Sequence, residues 1–228
     1  MKLVLTCEHA FTDIPEEYLE LFSENREVLK THEAFDLGAF DVFQQLKQVA
    51  DESYFQEIGR LLVETNRSVW HKSLHSRFTK DLSKEEKNKI LSTFYYPYRE
   101  KVESSIKTMI AEGNYVFHLS VHSFTPLLNG VLRNADIGLL YDPKRIPEKD
   151  IAKKFKELIN TKEPQFKVRY NYPYLGKSDG FTTSLRKIFP QKYMGIELEI
   201  NQKWVKNNLM QEDIKMAILF ALQEIKKV

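Results

Sequence analysis

The chain has only one cysteine, Cys7, among 228 residues, so it cannot build an internal disulfide framework. It also lacks an excess of charge, since 34 Lys+Arg against 32 Asp+Glu leave a formal net charge of +2. Nucleic-acid binding driven by counterion release usually needs a strong basic excess. No apolar run is long enough for a signal peptide or a membrane span. We therefore expect no nucleic-acid partner, no membrane partner and a cytoplasmic location.

Glycine and proline are sparse as well, at eight residues each, and no repeat or low-complexity linker divides the chain. A chain of this length can bury a generous core, and its 42% hydrophobic and 29% charged residues are typical of a globular protein. We expect residues 1–228 to form a single domain.

Strand-like and helix-like segments alternate along the chain. Apolar runs predict strands over residues 3–6, 61–64, 115–121, 137–141, 166–170 and 194–200. Apolar spacings of three and four predict a helix over residues 35–50, and a capping box of Ser83 and Glu86 predicts one over residues 83–94. Further helices are predicted over residues 97–112, 149–159 and 211–226, and a helix or helical turns over residues 15–29. This order predicts an α/β fold with three layers, in which a mostly parallel or mixed central sheet carries helices on both faces.

Two histidines follow or end predicted strands. His9 comes directly after the first strand, and His122 ends the apolar strand that begins near residue 115. Ligands of open α/β sheets bind at the carboxyl ends of the strands, and imidazole nitrogen is a preferred zinc ligand. A lone strand histidine is more often a hydrogen-bonded core residue, but two such residues could meet above one sheet.

A carboxylate should complete the metal site, and two candidates compete for this role. Asp36 stands near the start of the helix predicted over residues 35–50, where it could equally be a helix cap. Glu8 is next to His9, so the two side chains would diverge unless the chain turns there. We favour Asp36 as the third ligand of Zn²⁺ or another divalent metal and keep Glu8 as the alternative.

Two further acidic residues, Glu197 and Glu199, lie on one face of the last predicted strand. Burial of both is costly unless they are paired or bound to a metal, and burial beside a like charge raises a carboxyl pKa. The alternative is an edge strand with two solvated glutamates. Glu199 is nearer the carboxyl end and is the better candidate for a general base.

Arg67 and Arg133 follow apolar runs, where a planar guanidinium could hold a substrate carboxylate. Either arginine could instead form a structural bridge to an acidic residue or a helix end. Asn66 and Ser123, beside Arg67 and His122, are further substrate-binding candidates. These residues predict a small anionic substrate.

Cys7 and His9 suggest a different chemistry, a cysteine nucleophile with a histidine base. Neighbours two positions apart on one strand are too far apart for a tight hydrogen bond unless the chain turns. No other feature of the sequence requires a thiolate, so we prefer the metal site.

Seven segments, in order along most of the chain, resemble the N-formylglutamate amidohydrolase family. They are residues 6–10 (TCEHA), 32–39, 64–68 (ETNRS), 120–126 (SVHSFTP), 133–141, 171–174 (NYPY) and 197–201 (ELEIN). Each motif alone is weak, and their combination is specific.

The resemblance implies a zinc-dependent exopeptidase or amidase-like fold. His9 and His122 match its histidines, and Asp36 falls where related zinc amidases have an acidic ligand. Glu199 resembles the catalytic glutamate of the last strand. Arg67 and Arg133 match arginines that would hold substrate carboxylates.

We therefore predict a metal-dependent amidohydrolase that cleaves the C–N amide bond of an N-acyl amino acid such as N-formylglutamate. The alternatives are a zinc peptidase or peptidoglycan-type amidase with a larger substrate, and a non-catalytic binding protein on the same fold.

Overall fold

A computed structural model describes residues 1–227. The strands are β1 (Lys2–Cys7), β2 (Glu52–Phe55), β3 (Val116–Phe124), β4 (Leu127–Leu128), β5 (Val131–Leu132), β6 (Ile137–Leu140), β7 (Val168–Tyr170), β8 (Tyr193–Asn201), β9 (Val205–Lys206) and β10 (Leu209–Met210). The α-helices are α1 (Ala39–Leu46), α2 (Lys84–Ile90), α3 (Tyr96–Ala111), α4 (Ile146–Lys162), α5 (Phe181–Ile188) and α6 (Glu212–Lys226). A 3-10 segment, Glu16–Lys30, precedes α1, and a π-helical turn, Leu91–Tyr95, joins α2 to α3.

Six strands form one central sheet in the order β2-β1-β3-β8-β6-β7. The first four in this order are parallel, whereas β6 is antiparallel to β8 and parallel to β7. The sheet is therefore mixed, and β7 is an edge strand. The carboxyl ends of β1, β3 and β8 lie side by side in the middle of the sheet, where ligands of such folds bind.

Helices cover both faces of this sheet, which confirms the three-layer α/β prediction. The buried stripes of α1, α4 and α6 pack on one face against apolar side chains such as Leu5, Leu119 and Leu198. The other face receives α3 and α5, which pack near the amino ends of β1, β3 and β8 against Val4, Val116 and Tyr193. Because both faces are covered, the central strands are buried along most of their length.

The face under α3 and α5 turns polar toward the carboxyl ends of the strands. Thr6, His118 and Ser120 are fully buried, and their side chains are paired. His118 contacts Thr6 Oγ1 at 2.8 Å through Nε2 and the Tyr193 hydroxyl at 2.7 Å through Nδ1. Burial lowers the pKa of His118 to about 4, so this histidine is neutral and structural.

The strand predicted over residues 61–64 is wrong, because this apolar run forms buried turns. Leu62 and Val63 pack with Tyr18 and Leu74 in a small separate core. Side chains complete its hydrogen bonding, as Ser76 Oγ donates to the Leu61 carbonyl and Thr79 Oγ1 donates to the Leu62 carbonyl. Burial of an apolar run thus needs satisfied backbone groups, and a strand is only one way to provide them.

The helix predicted over residues 35–50 begins later, at Ala39, and continues as a 3-10 turn over Lys47–Val49. Gly38 precedes it with a φ of 73°, a left-handed conformation that glycine tolerates best. Asp36 therefore lies in the turn before the helix. The predictions also missed β2 and α5, which are only four and eight residues long.

The helix or helical turns predicted over residues 15–29 form a 3-10 segment with a kink at Asn25. The remaining predicted strands and helices are confirmed with shifts of a few residues at their ends. The capping box at Ser83 is half formed, since Ser83 Oγ accepts the Glu86 N–H at 3.1 Å. None of the helices within residues 1–227 is both long and apolar enough to cross a membrane.

Candidate metal centre and active-site cavity

Three side chains from separate segments converge at the carboxyl ends of β1 and β3. His9 Nδ1 and His122 Nδ1 are 3.2 Å apart, and Asp36 Oδ2 lies 3.2 Å from the first and 3.0 Å from the second. All three residues are buried. A tetrahedral Zn²⁺ with bonds of about 2.0–2.2 Å separates its ligand atoms by roughly 3.3–3.6 Å. The three atoms are therefore arranged closely enough to share one ion.

The turn before α1 positions Asp36. Its N–H donates to the His9 carbonyl at 3.1 Å, and its carbonyl accepts the Ala39 N–H at 3.0 Å. The carboxylate also accepts a hydrogen bond from the Ser123 N–H at 3.3 Å. Although burial alone would raise the pKa of Asp36, the adjacent His9 and His122 hold it far below its usual value. The side chain is thus an ionised ligand candidate.

Glu64 orients His9 through the ring nitrogen that does not face the cluster. Its Oε1 lies 2.6 Å from His9 Nε2, and an ionised carboxylate can only accept, so Nε2 carries the proton. The pKa of Glu64 is well below its usual value because Arg60 and His9 outweigh the effect of burial. This tautomer leaves the Nδ1 lone pair of His9 free for a metal, and metal-binding histidines usually donate their other ring N–H to a carboxylate in this way.

Glu8 plays the corresponding role at His122. Its Oε2 lies 3.2 Å from His122 Nε2 and accepts a hydrogen bond from Ser120 Oγ at 2.6 Å. Its Oε1 accepts from the Tyr98 hydroxyl at 3.0 Å. The structure thus places Glu8 behind His122, away from the converging atoms of His9 and Asp36.

His122 lies between the carboxylates of Asp36 and Glu8, which favour its protonated form. Burial lowers its pKa, but the hydrogen bonds and charges of Asp36 and Glu8 raise it well above the usual value. Without an ion, the cluster therefore holds a proton at His122. A divalent cation competes with that proton for the same lone pair, so metal binding should release it.

Glu199 faces this cluster from the neighbouring strand. It pairs in register with His122, and its side chain is 5% exposed. Its Oε2 has no hydrogen-bond partner within residues 1–227. Burial, together with the charges of Asp36 and Glu197, raises the pKa of Glu199 to about 8. A buried carboxyl oxygen without a partner is costly, and such atoms often mark catalytic positions.

Glu197 lies two positions earlier on β8 and is half-buried. Its Oε1 accepts a hydrogen bond from Thr182 Oγ1 at 2.6 Å, near the start of α5. Glu197 therefore has a protein partner that Glu199 Oε2 lacks. Both predicted strand glutamates line the cavity, and the alternative of two solvated residues on an edge strand is wrong.

A cavity of about 260 Å³ opens above the cluster. Eight predicted site residues line it: His9, Asp36, Asn66, Arg67, His122, Ser123, Glu197 and Glu199. The sequence patterns missed five others that also line it: Arg60, Tyr174, Leu175, Ser178 and Asp179.

Arg67 reaches the cavity from the segment after the buried turns. One of its nitrogens, Nη1, donates to the carbonyls of Asn66 at 2.8 Å and Asp179 at 3.1 Å. Arg67 forms no ion pair with a carboxylate in the described part of the chain, so the alternative of a structural bridge from Arg67 to an acidic side chain is wrong.

Asn66 is fixed in orientation by α5. Its Oδ1 accepts the Phe181 N–H at 2.7 Å, and a backbone N–H can only donate. The amide Nδ2 therefore faces the other way, 3.5 Å from His122 Nε2. Asn66 can present a donor to a cavity ligand.

The loop that carries Tyr174 and Leu175 is held over the site by close packing and by Asp179. The Tyr172 carbonyl approaches Gly138 of β6 so closely that a side chain there would collide with it. Asp179 accepts hydrogen bonds from the Ser68 N–H at 2.9 Å and from Ser68 Oγ at 2.5 Å. This loop and the segment after residue 65 together form one wall of the cavity.

Of the other two predicted binding residues, Ser123 lines the cavity and Arg133 does not. Ser123 Oγ donates to the Leu37 carbonyl at 2.7 Å, and Ser123 lines the cavity. Arg133 is not among the cavity-lining residues, and its guanidinium carbon lies 5.0 Å from the centre of the Tyr174 ring.

Arg60 and Glu64 are the functional residues that sequence patterns failed to identify. Arg60 donates to Asp36 Oδ1 at 3.3 Å and to Glu64 Oε2 at 2.7 Å, so it links the candidate metal ligand Asp36 to the residue that orients His9. Their spacing of four residues and the position of Glu64 in the ETNRS motif were the available signals.

Cys7 is fully buried in the apolar core under α1. Burial and the nearby charges of Glu8 and Asp36 raise its thiol pKa well above the usual value. Cys7 is therefore a neutral core residue, and the structure does not support a cysteine nucleophile.

Comparison with known proteins gives the family. The family model for N-formylglutamate amidohydrolase matches residues 1–205. A crystal structure of a gene product from Agrobacterium tumefaciens is similar, with 28% identity, a TM-score of 0.81, and coverage of 99% of this chain and 92% of that chain. The crystal structure of N-formylglutamate amidohydrolase from Ralstonia eutropha shares the fold, with 14% identity, a TM-score of 0.67, and coverage of 100% of this chain and 93% of that chain. No curated protein matches the chain significantly. Because the family model spans most of its length, this chain belongs to the N-formylglutamate amidohydrolase family.

Proposed function

We propose that this protein is a metal-dependent amidohydrolase that cleaves the C–N amide bond of a small N-acyl amino acid, with N-formyl compounds as the first candidates. The observation that carries the proposal is the convergence of His9 Nδ1, Asp36 Oδ2 and His122 Nδ1 beside the unpartnered Oε2 of Glu199. Three converging donors and a buried acid or base are the parts that metal-assisted hydrolysis requires.

The donor set fits zinc. Two imidazoles and one carboxylate leave a fourth position open, as in catalytic zinc sites, and Glu64 and Glu8 orient the two imidazoles. Asp36 is the preferred third ligand, because Glu8 is occupied behind His122 by Ser120 and Tyr98. Zn²⁺ in such a site supplies a Lewis acid that polarises a carbonyl and makes water easier to deprotonate.

Glu199 would be the general base. Its free Oε2 accepts a proton from the attacking water, and the water oxygen adds to the acyl carbon. The carboxyl group then gives the proton to the leaving nitrogen as the C–N bond breaks, so the products are a carboxylic acid and a free amine. A cation beside Glu199 would lower its raised pKa, and this would favour the ionised form that accepts a proton.

Substrate binding would fall to Arg67 and Asn66. The guanidinium of Arg67 has donors beyond the two backbone carbonyls that it contacts, and no carboxylate partner neutralises it among residues 1–227. A planar guanidinium holds a carboxylate through two hydrogen bonds. Asn66 Nδ2 and Ser123, which also line the cavity, would add polar contacts to the acyl or amino-acid part.

The size of the cavity favours a small substrate over a peptide or a glycan strand. Its volume of about 260 Å³ is below the ~300–1,000 Å³ of pockets that hold drug-sized ligands. A zinc peptidase or a peptidoglycan-type amidase would need a longer groove, so these activities are the alternatives that the test should address.

The test is a hydrolysis panel on Zn²⁺-loaded protein, with N-formyl and N-acetyl amino acids against short peptides and muropeptides. We expect release of the acyl group from N-acyl amino acids, loss of activity after chelation, and recovery after Zn²⁺ is restored. The Glu199→Gln variant should keep its metal and lose about 10²–10⁴-fold in kcat. If the loaded protein binds these compounds without turnover, it is a binding protein; preferential cleavage of peptides would make it a peptidase.

A further inference from the structure

We infer that the cavity selects a substrate with a single carboxylate and an uncharged side chain over a dicarboxylic one. This inference rests on the proposed function and specifies the amino-acid part of the substrate. It follows from the charged groups on the cavity wall and from the pairing of each one.

The cavity wall offers one cation without a carboxylate partner. Two arginines line the cavity, Arg60 and Arg67. Arg60 forms ion pairs with Asp36 at 3.3 Å and with Glu64, so its charge is already balanced. Arg67 contacts only backbone carbonyls through Nη1 and forms no ion pair within residues 1–227. One substrate carboxylate therefore has a matching guanidinium, and a second has none on this wall.

Two carboxylates occupy other parts of the same wall. Asp179 accepts hydrogen bonds from the Ser68 N–H and hydroxyl, and these donors keep its pKa low despite burial. Glu197 accepts from Thr182 Oγ1. Both residues line the cavity, and like charges placed across an interface select strongly against a partner. A second substrate carboxylate would meet these groups.

The apolar part of the wall is suited to a neutral side chain. Tyr174 and Leu175 line the cavity, and 46% and 52% of their surfaces are exposed. A substrate side chain that covers these surfaces gains from burial of apolar area. A carboxylate placed there would lose hydration without gaining a partner.

Arg133 is the remaining cation near this wall. Its guanidinium carbon lies 5.0 Å from the Tyr174 ring centre and 5.9 Å from that of Phe124, and Nη1 is 3.4 Å from Thr125 Oγ1. It stacks on the aromatic residues and does not line the cavity. In this position Arg133 is not part of the cavity lining, so it does not supply there the second cation that a dicarboxylic substrate would need.

The test compares N-formyl-L-glutamine with N-formyl-L-glutamate on the Zn²⁺-loaded full chain. The two compounds have nearly equal size and differ in one charge. We expect kcat/KM for the glutamine compound to be higher by at least about tenfold, and N-formyl-L-leucine to be cleaved at least as well as the glutamate compound. Equal or faster cleavage of the glutamate compound would overturn the inference and leave the proposed function intact. If no N-acyl amino acid is cleaved, the proposed function fails, and this inference fails with it.

Two variants make the result specific to charge. In Asp179→Asn, the preference for glutamine over glutamate should narrow by about threefold or more, because one opposing charge is removed. In Arg133→Gln, the kcat/KM values of both compounds should change by the same factor. A loss confined to the glutamate compound would show that Arg133 binds a second carboxylate and would overturn the inference.

Discussion

Replacement of Glu64 by glutamine tests whether a carboxylate behind His9 tunes the metal site. The His9 Nε2–Glu64 Oε1 distance of 2.6 Å indicates a charge-assisted hydrogen bond, and glutamine keeps an acceptor but loses the charge. Removal of such an outer contact usually costs 10–100-fold in metal affinity or activity. At 25 °C this range corresponds to about 1.4–2.7 kcal/mol.

The assay is competition for Zn²⁺ against a chromophoric chelator, with thermal unfolding measured in parallel. Glu100→Gln is the matched control, because Glu100 is exposed on α3 and makes the same chemical change far from the cluster. We expect Glu64→Gln to bind Zn²⁺ about 10–100-fold more weakly and Glu100→Gln to bind it like the original chain. A folded Glu64→Gln protein with unchanged affinity would refute the assignment of Glu64 as the residue that orients His9.

Three further predictions concern substrate binding and stability. Arg67→Met should lower kcat/KM for anionic N-acyl amino acids by about 10–150-fold, which corresponds to the loss of one charge-assisted hydrogen bond. The same compounds with an amide in place of the free carboxylate should be little affected. An equal loss for both kinds of substrate in steady-state kinetics would exclude Arg67 as the carboxylate partner. Asp51→Asn should reduce the free energy of unfolding by about 1 kcal/mol near pH 7. Burial alone would raise the pKa of Asp51, but hydrogen bonds from the Leu3 N–H and from lysine side chains lower it to about 2. This contribution is complete above the unfolded-state pKa near 4 and disappears as the pH falls through about 2, so the two proteins should converge in urea unfolding between pH 4 and pH 2, and a constant difference would contradict it. Ser83→Ala should lower stability by about 1 kcal/mol through loss of the N-cap of α2, whereas Ser83→Asp should not, and equal stability of all three proteins would show that the cap contributes nothing.

Local patterns predicted the central part of the fold. The helices α3, α4 and α6 could be recognised because each spans at least 15 residues. The strands β1, β3 and β8 could be recognised because their apolar runs are buried along most of their length. His9, His122 and Glu199 could be placed for the same reason, since each lies at or near the carboxyl end of a strand. The short elements β2 and α5 were missed, although the apolar residues Phe181 and Leu185 of α5 lie on one buried face.

The rest of the site depends on contacts between distant segments. The run before Glu64 looked like a strand because it is apolar, but its carbonyls are satisfied by Ser76 and Thr79 from a later segment. Likewise, the bonds of Glu64 to His9 and of Asp179 to Ser68 join residues 55 and 111 positions apart. A single sequence contains no periodic signal for such pairs.

The central claim is that His9, Asp36 and His122 bind one divalent ion. The most direct test is the Zn²⁺ content of the purified chain after loading and gel filtration, measured by elemental analysis beside His122→Ala and the control His32→Ala. His32 is exposed, so its variant should behave like the original chain. The account predicts about one tightly held ion per chain in the original protein and in His32→Ala, and loss of that ion in His122→Ala. Retention of one equally tight ion by a folded His122→Ala protein, or no bound ion in the original chain, would contradict it.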